Sequence, residues 1–98
     1  MGKREPLIKE LTSTGAVTTD NIAGVLHYVM FSGVTVGDKL EVGNGGTNVI
    51  TMITSVANAP VYFDPPKDKL PVFTTDIAAT ITVTANGYAT FIYEEIEI

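Results

Sequence analysis

One histidine, His27, three serines, Ser13, Ser32 and Ser55, and eleven carboxylates are the side chains with which this sequence could do acid, base or nucleophilic chemistry; it has no cysteine. Nucleophilic catalysis needs a hydroxyl next to a base that a third group orients. None of the three serines stands in the glycine-flanked elbow that exposes a nucleophile. His27 lies inside the most apolar stretch of the chain, where a histidine packs in or beside a core and hydrogen-bonds locally; the remaining role for it is a pH-sensitive interface. Two carboxylates can work as a glycosidase pair in any fold that brings them together. Here, however, Glu94, Glu95 and Glu97 crowd into the last few residues, a pattern of solvated faces or ion pairs across an interface. The absence of cysteine removes disulfides, thiolate metal sites and thiol nucleophiles together. The sequence is therefore read as that of a non-enzyme, with no catalytic residue, no metal and no cofactor expected.

Two other segments invite a chemical reading. In VTVGDKLEVGNGGTNVITMI, Val34 to Ile53, the cluster Gly43, Asn44, Gly45 and Gly46 has the glycine content of a phosphate cradle. A phosphate loop would require Lys and then Ser or Thr after the last glycine, and a helix whose N-terminus meets the anion. Thr47-Asn48 and a β-branched run come instead, so the cluster is expected to be a hairpin loop. In YFDPPKDKLP, Tyr62 to Pro71, Asp64 and Asp68 lack the alternating ligands, central glycine and closing glutamate of a calcium loop. Its prolines cannot donate to a ladder, which predicts an extended surface connection or sheet edge.

The elements that would position these residues are strands. A chain of 98 residues, 45% apolar and 17% charged, is expected to fold as one domain, 1–98, with residues 1–10 as an extended arm. The net charge is −5, and Lys3, Arg4, Lys9, Lys39, Lys67 and Lys69 are scattered rather than striped. Neither nucleic acid nor an anionic membrane surface is an expected partner. The longest nearly apolar run, Ala23 to Phe31, is far short of the about 20 residues that span a bilayer, and no apolar stretch comes after the charged N-terminus as in a signal peptide.

Thr80 to Ala85 alternates cleanly, with Ile81, Val83 and Ala85 on one face and threonines on the other. Asn86-Gly87 is next, then Tyr88 to Tyr93, which predicts a type I′ hairpin. Val25 to Phe31 reads as a central strand with both faces apolar, Val25, Val29 and Phe31 opposed to Leu26, Tyr28 and Met30. Asp38 to Val42 places Leu40 and Val42 inward, and Val49 to Val56 resumes the pattern. The expected fold is an all-β, single-domain β-sandwich of about 7–8 antiparallel strands, jelly-roll or immunoglobulin-like.

The succession STGAVTTDNIAGVLHYVMF, GVTVGDKLEVGNGGTNVI, a proline-ended middle and ITVTANGYATFIYEE resembles the small all-β structural proteins of tailed bacteriophages, from about Thr12 to Glu95. In those proteins a short strand ends in Gly-Ala-Val, a strand apolar on both sides comes next, and glycine-turned hairpins lie in the middle and at the end. The resemblance implies a capsid decoration, head or tail accessory subunit, located in the virion after synthesis in the host cytoplasm. It also implies assembly as a homo-oligomer, a trimer by analogy, and contact with other virion proteins. No individual functional residue is carried over.

Sheet edges must be covered or used. The terminal strand Phe91 to Ile98 and the N-terminal arm are the expected subunit interface, with Phe91, Tyr93, Glu94, Glu95, Ile96 and Ile98 as its candidates. The alternative is a small ligand- or carbohydrate-binding, adhesin-like module, with Asn44 in one loop and Tyr62, Phe63 and Asp64 in another.

Overall fold

The computed structural model describes residues 6–19, 22–84 and 86–96. Its organisation starts at the glycine cluster. Gly45 and Gly46 hold φ of +59° and +89°, the left-handed conformation that both central positions of a type I′ turn require and that glycine adopts without steric cost. This turn joins β4 (Lys39–Asn44) to β5 (Thr47–Ile53). The expected hairpin is there.

The remaining strands pair outward from this turn in nested order. β3 (Ala23–Ser32) pairs with two short pieces of one edge, β6 (Val61–Phe63) and β7 (Val72–Phe73). β2 (Gly15–Ala16) pairs with β8 (Ala78–Thr82), and β1 (Leu7–Leu11) with β9 (Tyr88–Ile96), all antiparallel. The chain is thus one long hairpin ribbon, and rolling it up adds the pairs β3·β9 and β4·β8. Two sheets result, β1-β9-β3-β6 with β7 also on β3, and β2-β8-β4-β5. A nested ribbon rolled into two facing sheets is a jelly roll, which decides between the two architectures that the strand pattern allows.

The core lies between the sheets. Leu26, Val29, Phe31 and Phe91 from the five-stranded sheet meet Leu40, Val42 and Ala79 from the four-stranded one, with Phe73 and Ile77 closing one end; each is at most 2% exposed. Burial of each larger side chain contributes roughly 1.5–3 kcal/mol.

Three expectations are corrected. Asn86-Gly87 does not close a hairpin: Gly87 lacks the positive φ of a type I′ turn, and the flanking strands lie in different sheets, β8 beside β4 and β9 between β1 and β3. The local turn signal yields to the pairing of each strand with distant partners. A Cβ at Gly87 would meet Val83 Cγ1 at 2.9 Å and the Ser32 carbonyl at 3.2 Å, so this glycine lets the crossing chain lie close to the end of β3. The second correction concerns β3, whose register shifts between Leu26 and Tyr28. The bulge at His27 moves Leu26 to the same inward face as Val29 and Phe31, all 0% exposed, and leaves Tyr28 and Met30 outward. Third, residues 7–10 are not a free arm, because Leu7 to Leu11 pair along β9 from Tyr93 to Ala89.

The connections that cross between sheets are tied at both ends. At one end the buried Asp38 carboxylate accepts the amides of Val34 (3.1 Å) and Thr35 (3.0 Å) from its own β3–β4 crossing and of Thr84 (3.1 Å) from the β8–β9 crossing. Its backbone carbonyl accepts the amide of Thr54, at 2.8 Å, where β5 leaves for β6. At the other end Asn44 Oδ1 accepts the Thr75 amide at 2.8 Å, and Asp76 Oδ1 accepts the Gly45 amide at 2.9 Å.

Hydrogen bonds from the Thr35 amide first, opposed by desolvation and reinforced by Thr84 and Val34, hold the Asp38 carboxyl below its ordinary value of 3.8. A carboxyl whose folded pKa is depressed contributes stability above its unfolded pKa and loses it as pH falls through the folded one. Asp38→Asn places an amide N–H against donors and is expected to lower Tm at pH 7 by about 5–10 °C. In pH-dependent thermal unfolding the gap to the unsubstituted protein should persist down to about pH 4 and narrow below it; equal Tm values at pH 7 would refute the role.

Candidate functional site: the outer face of the five-stranded sheet

Alternation along each strand, together with the pairing register, fixes which residues share the outer face of the five-stranded sheet. One row across it is Ile8, Ile92 and Tyr28; the next is Glu10, Thr90, Met30 and Tyr62. Beyond them Glu94 lies opposite Val25, and Val25 opposite Val72. Ile8 is 73% exposed and Tyr62 and Val72 are each 57% exposed. Outer faces of sandwiches are normally polar, and the four-stranded sheet has Lys39, Glu41, Thr51, Thr80 and Thr82 on its outer side, with exposed Val49 and Ile53 on its edge strand β5. The five-stranded sheet therefore presents a continuous apolar band across four strands, rimmed by Glu10, Glu94 and Asp64.

Tyr28 and Tyr62 are in ring contact, centroids 6.2 Å apart and tilted by 39°. Desolvation first, then the neighbouring Tyr62 and Asp64, keep the Tyr28 hydroxyl above its ordinary value of 10.0, so this part of the band carries no phenolate at neutral pH. Beside it, His27 emerges from the bulge and its Nε2 lies 2.5 Å from Glu94 Oε2, with the two side chains 25% and 18% exposed. The pair is local and oriented, as a histidine beside the core was expected to be. Among the described residues no hydroxyl or further acid hydrogen-bonds to the ring, and no group of three or more His, Asp or Glu could hold a metal ion. The geometry is that of a hydrogen-bonded pair at the surface.

The expected interface residues divide. Phe91 is fully buried and Tyr93 is 6% exposed, both pointing into the core, so neither side chain is available to a partner. Burial first, then Glu95, raises the Tyr93 pKa. Glu94 stands on the outer face, Glu95 accepts the Thr19 amide at 2.7 Å, and half-buried Ile96 pairs with Ala23. Ile98 lies outside the described residues. From Ala89 to Tyr93, β9 is moreover an interior strand, covered by β1 on one side and β3 on the other.

The expected binding loops also separate. Asn44 sits at the tip of the four-stranded sheet with its amide bonded to Thr74, Thr75 and Asp76. Tyr62 and exposed Asp64 belong to the five-stranded sheet's edge, where half-buried Phe63 packs on the core. Sequence reasoning missed Ile8 and Ile92 in the row of Tyr28, and Val72 beside Val25. Its one usable signal was the two-sided apolarity of β3, because an apolar outward row on a central strand requires cover or remains exposed.

No helix among the described residues is long and apolar enough to cross a membrane. Compared with protein families, curated proteins and solved structures, the chain has no match in any of the three.

Tyr62 stands on the surface and Phe91 in the core, so their truncations should separate in thermal unfolding followed by circular dichroism. Tyr62→Ser is expected to stay within about 0.5 kcal/mol of the unsubstituted protein, whereas Phe91→Ala is expected to cost about 3–5 kcal/mol. Comparable losses would contradict the assignment of inner and outer faces.

Proposed function

We propose that this chain is a non-enzymatic virion structural protein, a capsid decoration or head or tail accessory subunit. In this reading it works by docking the outer face of its five-stranded sheet on copies of itself, a trimer by preference, and on other virion proteins. The apolar band across that face is the observation that carries the reading, because contiguous exposed apolar surface with a polar rim is how association sites are built. Size agrees: with principal extents of 44 × 24 × 19 Å, a broad side of the molecule can supply the roughly 800 Å² per partner of a stable interface. The inner faces, by contrast, are filled by their own side chains, which pack against one another across the sandwich. The order of segments that resembles tailed-phage structural proteins supports the virion setting.

The adhesin-like alternative, drawn on the loops around Asn44 and Tyr62, is weaker here, because those loops lie on different sheets and the Asn44 amide is already bonded within the fold.

Multi-angle light scattering is expected to give a mass that is a multiple of 10.4 kDa. The double variant Ile8→Glu, Tyr62→Glu should shift it toward the single chain with circular dichroism unchanged, since two carboxylates beside the acidic rim would be desolvated without partners. A single-chain mass for the unsubstituted protein at micromolar and higher concentration would overturn the docking reading. The virion setting is tested separately by the neighbourhood of the coding sequence: capsid, portal or tail genes beside it are expected, and metabolic genes would count against it.

A further inference from the structure

At the Asp38 end of the same outer face, past the apolar band, lies an open groove of about 670 Å³. Glu10 and Thr12 of the β1 edge form one side. Tyr88 and Ser32, which face each other across β9 and β3, form the floor. Val34 and Asn86, from the two crossings that Asp38 ties together, form the far wall, and Gly87 lies flat against the end of β3.

The polar groups of this groove are free. Among the described residues the Glu10 carboxylate, the Thr12 and Ser32 hydroxyls and the Asn86 amide have no side-chain hydrogen bond or ion pair. Two nearby polar side chains at this end are engaged by the fold: Asp38 takes three amides and Thr14 holds Ile81. The walls themselves are fixed, since Val34 is held by the Asn58 amide at 3.2 Å and Thr84 by Asp38. A pre-formed site with unengaged donors and acceptors around an aromatic ring is the usual make-up of a small-molecule site.

We propose that this groove binds a neutral saccharide. The Tyr88 ring, 39% exposed, offers an apolar platform for the C–H face of a pyranose, while its hydroxyl remains available to water or ligand. A carboxylate such as that of Glu10 accepts two neighbouring hydroxyls of one sugar, and an amide such as that of Asn86 both donates and accepts. Charge selects within the polar ligands. Among the described residues no lysine or arginine lines the groove, so phosphates, sulfates and acidic sugars meet Glu10 without compensation. A lipid is equally unsuited, because the large apolar side chains of the described lining are those of Val34 and Tyr88 alone. This inference goes beyond the structural role proposed above and does not rest on it, although a symmetric assembly would present several such grooves and multiply a weak single-site affinity.

Saturation-transfer NMR tests it on the full chain at whatever assembly size it adopts. The probes are the methyl glycosides of glucose, galactose, mannose and N-acetylglucosamine, with glycerol as the non-specific control and N-acetyl-lysine methylamide as a cationic peptide probe. Saturable transfer to at least one glycoside is expected, with a dissociation constant in the millimolar range that suits an open groove. Tyr88→Ala and, independently, Glu10→Gln should weaken it about tenfold or more, whereas Thr80→Ser, on the outer side of the other sheet, should leave it unchanged. Glu10 is exposed and unpaired, so its variant keeps the test valid where Tyr88→Ala fails to fold. Transfer to no glycoside, transfer no greater than to glycerol, preference for the lysine probe, or loss in Thr80→Ser alone would each overturn the proposal. Light scattering on the same samples keeps the two readings apart: an oligomer that binds no glycoside sinks only the saccharide site, and a single chain that binds one sinks only the docking face.

Discussion

A type I′ reversal, whose twist matches that of the strands it joins, forms only where both central residues can hold positive φ, and Gly45-Gly46 does so. Everything else in the fold is counted from that reversal. Once β4 and β5 lie side by side, nesting pairs β3 with the strands just C-terminal to β5, β2 with the strand before β9, and the first strand with the last. The nesting explains why Leu7–Leu11 and Tyr88–Ile96, at opposite ends of the sequence, share a ladder. It also explains why β9 is interior: the last strand of a rolled ribbon is caught between the first and the third. Long-range pairs of this kind cost loop-closure entropy before they contribute, so the tight turn at the centre is the least costly place to begin.

Rolling the ribbon creates crossings, and each takes backbone amides out of a sheet ladder into a place where they need other partners. Asp38 meets that need for three crossings with one side chain and its own carbonyl. Gly33 is part of the same arrangement, because a Cβ there would stand 2.5 Å from Thr54 Oγ1 and 2.7 Å from Asp38 Cβ. The arrangement is close enough that the fully buried Thr54 hydroxyl is left without a partner among the described residues. An unsatisfied buried hydroxyl costs about 1–3 kcal/mol, a cost tolerated where the three crossings converge.

The features legible in the sequence were those that depend on neighbours along the chain. The alternation of Leu40 and Val42, the threonine face of β8 and the glycine turn all arise from backbone geometry within a few residues. The features that were not legible depended on partners far away. Asn86-Gly87 has the composition of a hairpin turn, yet Ile81 pairs with Leu40 and Tyr88 with Ser32, and those pairings pull the flanking strands into different sheets. The bulge at His27 likewise leaves no local mark, although it decides whether Leu26 is core or surface. Among the interface candidates the same gap shows: Phe91 and Tyr93 looked available at a chain end, but nesting enclosed their strand between β1 and β3 and turned both rings into the core, while Ile8 joined Ile92 and Tyr28 only through that pairing.

The places left for function are set by these constraints. A small sandwich whose inner faces are packed and whose crossings are tied has no room to open a cleft between its sheets without breaking the Asp38 ties or exposing its phenylalanines. Ligands and partners are confined to outer faces and rims. Of the two outer faces, the four-stranded one carries threonines and a Lys39–Glu41 pair 3.7 Å apart, groups well served by water, and its exposed Val49 and Ile53 lie on the edge strand β5. The five-stranded one combines apolar residues that water serves badly with a rim groove whose polar groups have no internal partner among the described residues. Free energy remains to be gained on that side of the molecule, by desolvating the band and by satisfying the groove. Both gains require something from outside the chain, which the proposed docking and ligand binding would each supply.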